Sequence, residues 1–319
     1  MNIRFRVLSI FCLYTFVYGT VVEEDWHKFK EEYGKQYKKS EEEHFFGNFK
    51  KNLLEIENHN KLFQQGLTTY KKGITRFADL SGEEFIEKYM LFEAPLKKYE
   101  DFINKTSNST KYFNWKDKGA VTVVKNQDIC GACWLYSAVG VVEGHYFRKN
   151  NKSVTLSEQN IVDCFPGDTC RGGYPPNTII YLMHNGINTA EDYPNKVLRG
   201  SCRYDKSKKV KLNITDYNVD SLSEQEITEV LENYGPVTIA IYANKNWRLY
   251  ESGVWFEKEC SEHPNHAVLL VGYGTENGHD YWLIKNSYGK GWGLAGYIKM
   301  ARNAGRNYCG IEEFIMYIK

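Results

Sequence analysis

The chain has almost no net charge: 41 lysines and arginines stand against 40 aspartates and glutamates, which leaves +1 at neutral pH with histidine uncharged. That balance gives no case for nucleic acid or an anionic membrane as the main partner. Beyond its first residues there is no long apolar stretch, so no membrane span is expected in the mature chain. Internal repeats and long low-complexity tracts are absent. From Glu23 to about Leu91 there is no cysteine, and almost no glycine or proline before Gly66. What remains is ordinary for a folded protein: 319 residues, 42% hydrophobic and 25% charged, enough for two domains or one domain with attachments.

Arg4 and Arg6 precede an apolar run from Val7 to Val17 that ends at the small residue Gly19. This is the layout of a secretory signal peptide, expected over residues 1–19, and it is too short and too early to anchor the mature chain. In an oxidising compartment cysteines tend to pair. Cys12 leaves with the signal, and the seven that remain are Cys130, Cys133, Cys164, Cys170, Cys202, Cys260 and Cys309. An odd count leaves at least one thiol without an intrachain partner. Sequons at Asn104, Asn108, Asn151 and Asn213 fit the same route as candidate glycosylation sites.

Along the chain, Phe45, Phe49, Asn52, Ile56 and Asn60 recur every three or four residues, which places them on one helical face. The segment to about Leu91 therefore reads as helical. Between about Glu93 and Tyr112 the chain turns polar, as an exposed linker and a natural site of proteolysis. After Tyr112 glycine, tyrosine and tryptophan become frequent and all the mature cysteines occur. Helices are predicted over Trp134–Tyr146 and Ser157–Cys164, then short strands over Val237–Tyr242, Ala267–Tyr273, Tyr281–Lys285 and Gly296–Met300. Helices first and strands later predict an α+β fold with the two types segregated.

Cys130 and Cys133 form a Cys-x-x-Cys pair, which has three readings: a redox couple, half of a zinc site, or one structural cysteine beside one catalytic cysteine. A redox couple asks for a strand directly before it and an alternating β/α pattern. Zinc asks for a second pair at metal spacing, yet Cys164 and Cys170 are six apart, and His263 and His266 have no matching cysteine pair. No metal or organic cofactor is implied. The third reading asks for a base and a group that orients it. His266 runs directly into a predicted strand, Asn286 follows another, and they lie 133 and 153 residues after Cys133.

This order resembles the papain family of cysteine proteases, in its cathepsin L-like branch. Other motifs agree: Gln127 six residues before Cys133, Leu156-Ser157-Glu158-Gln159 leading to Asp163-Cys164, and Cys170-Arg171-Gly172-Gly173-Tyr174-Pro175. The resemblance covers nearly all of the chain after the signal. It implies a papain-like fold with a helical left domain and an antiparallel, barrel-like right domain over residues 109–319, preceded by an inhibitory prosegment over 20–108. It also implies bridges Cys130–Cys170, Cys164–Cys202 and Cys260–Cys309, leaving Cys133 free.

The implied roles follow the same resemblance. Cys133 is the nucleophile, His266 its partner and the acid for the leaving amine, Asn286 the group that orients the ring, and Gln127 an oxyanion donor. Gly173 would pair with an extended peptide, while Tyr174, Pro175, Ala240, Ala267 and Phe314 would line the S2 pocket. Phe314 at its floor predicts a shallow pocket with a bias toward Val, Ala or Pro at P2. The prosegment signature is present as Glu41, Phe45, Phe49, Asn52, Ile56 and Asn60, with Phe45 in place of arginine. Its second motif is Gly73, Thr75, Phe77 and Asp79, with Thr75 in place of asparagine, and both departures are expected to affect contacts within the prosegment. Expected partners are protein or peptide substrates, the chain's own prosegment and cystatin-like inhibitors, for a monomer that is secreted or lysosomal.

Three departures lie near the site. Tyr288 stands where the family has tryptophan, which predicts poorer screening of the His–Asn hydrogen bond. Asp128-Ile129 replaces two small residues and adds a carboxylate, and Leu135-Tyr136 replaces Ala-Phe. These departures keep an alternative open, a weakly active or inactive papain-fold secreted binding protein or antigen. A purely structural secreted glycoprotein would account for the bridges and sequons but not for Gln127, Cys133, His266 and Asn286 together.

Overall fold

The computed structural model describes residues 21–92, 111–196, 198–305 and 307–319. The expected signal peptide, the body of the linker, and the sequons at Asn104 and Asn108 lie outside the described residues. Among those described, no helix is long and apolar enough to cross a membrane.

The segment expected to be the prosegment begins with α1 (21–32) and α2 (Glu42–Gln64). Trp26, Phe29 and Phe49 stack where the two helices meet, with ring centroids 5.0–5.5 Å apart. Phe45 packs on Tyr37 at 4.8 Å, so the departure from arginine converts a polar position into part of this aromatic core. A short strand, β1 (Tyr70–Lys72), follows and pairs antiparallel with β5 (Tyr250–Trp255) of the later domain, so the prosegment is not wholly helical. Then comes α3 (Gly82–Tyr89), started by a capping box in which Ser81 accepts from the Glu84 amide at 3.2 Å.

The left domain is built on α4 (Cys133–Asn150). From Cys133 to His145 every residue but Tyr136 is buried, as expected of a helix enclosed on all sides. It ends at Asn151, whose φ of 49° closes the helix in the left-handed region. Against it lie α5 (Glu158–Cys164) and α6 (Pro175–Asn185). The Ser157 hydroxyl caps α5 by accepting from the Asn160 amide at 3.0 Å. Asn151 and Asn213 are both exposed.

The right domain contains β2 (Phe113–Asn114), β3 (Asn218–Asp220), α7 (Glu224–Tyr234), β4 (Val237–Ile241), β6 (His266–Glu276), β7 (His279–Lys285), β8 (Tyr297–Ala301) and β9 (Ile315–Tyr317). The sheet runs β1-β5-β8-β7-β6-β4-β9-β3, with β2 on β6. The pairing of β5 with β8 is parallel and the others are antiparallel. Asn277 and Gly278, both at positive φ, turn β6 back into β7 in a two-residue hairpin. The start of β6 therefore lies beside the end of β7, which brings His266 next to Asn286. Gly140 lets α4 close on β6: a Cβ there would stand 2.6 Å from the Leu269 side chain.

Candidate active site

Cys133 is the first residue of α4, so its sulfur sits at the positive end of an 18-residue helix. It is the free, buried cysteine. The other six form Cys130–Cys170, Cys164–Cys202 and Cys260–Cys309, with S–S lengths of 2.06, 2.04 and 2.02 Å. The first bridge ties the loop before Cys133 to the segment carrying Gly172 and Gly173.

His266 opens β6 and its Nε2 lies 2.9 Å from Asn286 Oδ1. That oxygen also accepts the Ser287 amide at 2.8 Å, so it is an acceptor and the ring nitrogen facing it is the protonated one. Nδ1 is left buried without a hydrogen-bond partner, available to a thiol. Tyr288 stacks on the imidazole at 5.2 Å and 20°, while Trp247 meets it edge-on at 6.1 Å. Neither His266 nor Tyr288 has any exposed surface, and Asn286 is 2% exposed. The expected loss of screening from the smaller phenol does not occur here, because Phe77 and Tyr89 of the prosegment pack on Tyr288 at 5.1 and 5.8 Å.

Gln127 is held by its neighbours. Its Nε2 donates to the Cys130 carbonyl at 2.9 Å, and its Oε1 accepts from the Ser287 hydroxyl. One side-chain N–H remains for an oxyanion. Behind Asn286 lies a buried ionic group that the sequence did not reveal: Lys125 donates to Glu143 at 2.8 Å and Glu158 at 2.7 Å, and Lys285 reaches Thr122 at 3.2 Å. Burial lowers the Lys285 amine to about 8.

The cleft is filled. Leu91 and Phe92 cross it, and the Phe92 amide donates to the Asn265 carbonyl at 3.2 Å. Phe92 is buried against Phe314 with centroids 6.2 Å apart, and Phe314 also meets Tyr174 at 5.6 Å. Pro175 begins α6 beside Tyr174, and Ala240 pairs with Ala267 across β4 and β6. An aromatic side chain of the prosegment thus sits against Phe314, the residue expected at the pocket floor. At Gly173 a Cβ would meet the Trp134 ring at 2.4 Å, so packing alone requires glycine there. At Gly172, which sequence reasoning did not single out, it would meet the Leu91 carbonyl at 2.3 Å.

Desolvation sets the electrostatics. Burial pushes the Cys133 thiol up to about 11, with backbone hydrogen bonding from Ala267 and Trp134 offsetting part of the rise. Burial also lowers His266 to about 4, against the opposing effect of its Asn286 hydrogen bond. Both shifts act in the same sense, burial disfavouring the charged thiolate and the charged imidazolium.

A free cysteine at a helix start, a histidine tied to an asparagine, and a segment lying across both define a thiol hydrolase in a covered form. Residues 109–319 match the papain family cysteine proteases, and residues 26–85 match the cathepsin propeptide inhibitor domain (I29). The chain belongs to the papain family and carries its inhibitory propeptide. It is 36% identical to a cathepsin L-like proteinase of Fasciola hepatica, over 96% of this chain and 97% of the relative. It is 38% identical to cathepsin L of Sarcophaga peregrina, over 93% of each. The solved structure of digestive procathepsin L 3 from Tenebrio molitor larval midgut superposes with a TM-score of 0.84 at 33% identity, covering 93% of this chain and 98% of that one.

Proposed function

We propose that the chain is the precursor of a secretory-pathway cysteine endopeptidase, in which residues 20–108 inhibit the peptidase domain formed by 109–319. The observation that carries this reading is the free Cys133 at the start of α4, with the His266 ring fixed by Asn286 at 2.9 Å and both beneath the prosegment. When that cover leaves, water returns, the thiol and imidazole move back toward their ordinary values, and the helix dipole favours a thiolate–imidazolium pair. Cys133 then attacks the peptide carbonyl, and the remaining Gln127 N–H and the Cys133 amide stabilise the oxyanion, with one such donor supplying about 3–4 kcal/mol. His266 gives its proton to the leaving amine, and water hydrolyses the acyl-enzyme with His266 as base.

The position of Phe92 supports a P2 preference for large apolar residues, phenylalanine included, in the pocket of Tyr174, Pro175, Ala240, Ala267 and Phe314. Gly173 lies at its entrance as the backbone partner of substrate. Cystatin-like inhibitors would enter the same cleft. The product is a monomer that is secreted or lysosomal, glycosylated at Asn104, Asn108, Asn151 and Asn213, the last two exposed.

The test is acid treatment of the secreted precursor, then an epoxysuccinyl thiol probe and intact-mass analysis beside Cys133→Ala. One probe per chain, absent in the variant and accompanied by loss of the N-terminal segment, supports the reading. A folded, trimmed chain that leaves Cys133 unlabelled supports the binding-protein alternative instead.

A further inference from the structure

The prosegment crosses the cleft in one direction. It passes Arg76 and Phe77 over Tyr288 first, and reaches Leu91 and Phe92 at Gly172 and Phe314 last. A substrate places the acyl half of its scissile bond at the Phe314 end, so its leaving-group half lies at the Arg76 end.

A small acidic notch stands there. Asp128 adopts a φ of 52°, a conformation that aspartate tolerates, and its amide is held by Asn126 Oδ1 at 3.0 Å. The Arg76 guanidinium enters the notch, with Nη2 at 3.2 Å from Asp128 Oδ1 and Nη1 at 3.3 Å from the Tyr288 carbonyl. Gly289 borders the notch at a φ of 75°, with Nη1 and the Asn126 Cβ each 3.5 Å from where a Cβ would stand, an ordinary contact distance. Arg76 is the cation paired with Asp128 among the described residues, and Tyr89 and Tyr136, the titratable groups that also feel its charge, are neutral phenols.

We propose that Asp128 and the Tyr288 carbonyl form a subsite on the leaving-group side of the scissile bond that selects a basic side chain, arginine above lysine. Arg76 occupies it in the precursor. The inference rests on the protease reading above. Two acceptors at different angles suit the planar fork of a guanidinium, whereas an ammonium satisfies one of them as a point charge. When the prosegment leaves, its guanidinium goes with it and the Asp128 carboxylate is left facing an open notch.

The experiment uses the acid-matured enzyme, its competent sites counted with the epoxysuccinyl probe. Internally quenched peptides differ only in carrying Arg, citrulline, Lys or Glu at each of the first few positions after the scissile bond. At one position kcat/KM for Arg should exceed that for its uncharged isostere citrulline by about three- to tenfold, with Lys between them and Glu lowest. The ratio should shrink at high salt and fall to near one in Asp128→Asn. Equal rates for Arg and citrulline at every position overturn the proposal, as does an Arg preference that survives Asp128→Asn. A matured protein that cleaves none of the peptides defeats the protease reading itself, which the other outcomes leave standing.

Discussion

The peptidase body and the segment that covers it are held by different kinds of force. The body has three disulfides and a central helix packed on its sheet through close apolar contact. The prosegment has no cysteine between residues 21 and 92. It is attached through the edge pairing of β1 with β5, aromatic rings laid on Tyr288, and hydrogen bonds between ionised groups. At the centre of these, Lys72 and Arg248 converge on Glu55 at 2.7 and 2.6 Å, and Arg248 also donates to Asn52 at 2.7 Å. Thr75, one of the two departures in the prosegment motifs, donates to the Arg248 carbonyl across the interface and accepts from the Phe77 amide at 3.2 Å within the prosegment, so it serves both. Covalent links hold the peptidase body together, whereas its cover is held by noncovalent contacts alone, among them a carboxylate, Glu55, that acid can protonate.

The comparison is tested most severely at Phe49, which is fully buried between Trp26 and Phe29. Phe49→Ala should remove about 3–5 kcal/mol of packing from the prosegment. The precursor should then take up the thiol probe at neutral pH without acid treatment, while the melting temperature of the matured enzyme, which lacks residue 49, stays unchanged. A neutral precursor that remains unlabelled would show that this aromatic core does not hold the cover closed. Breaking the Cys164–Cys202 bridge by the double alanine variant should cost about 2–4 kcal/mol and lower the melting temperature of precursor and matured enzyme alike.

Glu55 gives the acid dependence. Burial works to raise its carboxyl, but the Lys72 and Arg248 charges outweigh burial and hold it below the usual carboxylate range. A depressed value in the docked state means that Glu55 supports docking in full above the ordinary value of about 4.3, and loses that support as pH falls through the docked value. Glu55→Gln leaves two buried cations less well matched, at about 1–2 kcal/mol. The rate of probe labelling against pH should therefore rise at a higher pH in the variant than in the wild type. Superimposed curves would place the acid switch on other carboxylates.

Much of the site was legible in the sequence because local patterns carry it. His266 at the head of one predicted strand and Asn286 at the end of another could be read off the chain, and Ser157 at the predicted start of α5 caps it. The Asn277-Gly278 turn that brings residue 266 beside residue 286 stood in the sequence and went unread. The start of α7 was equally available and went unread: Ser223 and Glu226 form a capping box. Other features have no local signature. β1 is a three-residue strand that exists because β5 offers it an edge. The depth of the pocket above Phe314 depends on how that ring turns against Tyr174. Arg76 and Asp128 are 52 residues apart, in segments that meet only when the cover docks.

The smallest expected effect separates covered from uncovered enzyme at a single oxygen. Tyr288 is fully buried and its hydroxyl has no hydrogen-bond partner, because the prosegment surrounds it with the rings of Phe77, Phe85 and Tyr89. A buried hydroxyl without a partner opposes docking, and removing it should favour the covered state by about 1 kcal/mol. Tyr288→Phe keeps the ring stacked on His266 and deletes that oxygen. The precursor should then take up the thiol probe about fivefold more slowly at a mildly acidic pH. In the matured enzyme water reaches the hydroxyl, so the same substitution should change labelling far less than it does in the precursor. Equal effects in both forms would mean that the hydroxyl acts on the catalytic pair itself, and that the cost of docking lies in another contact.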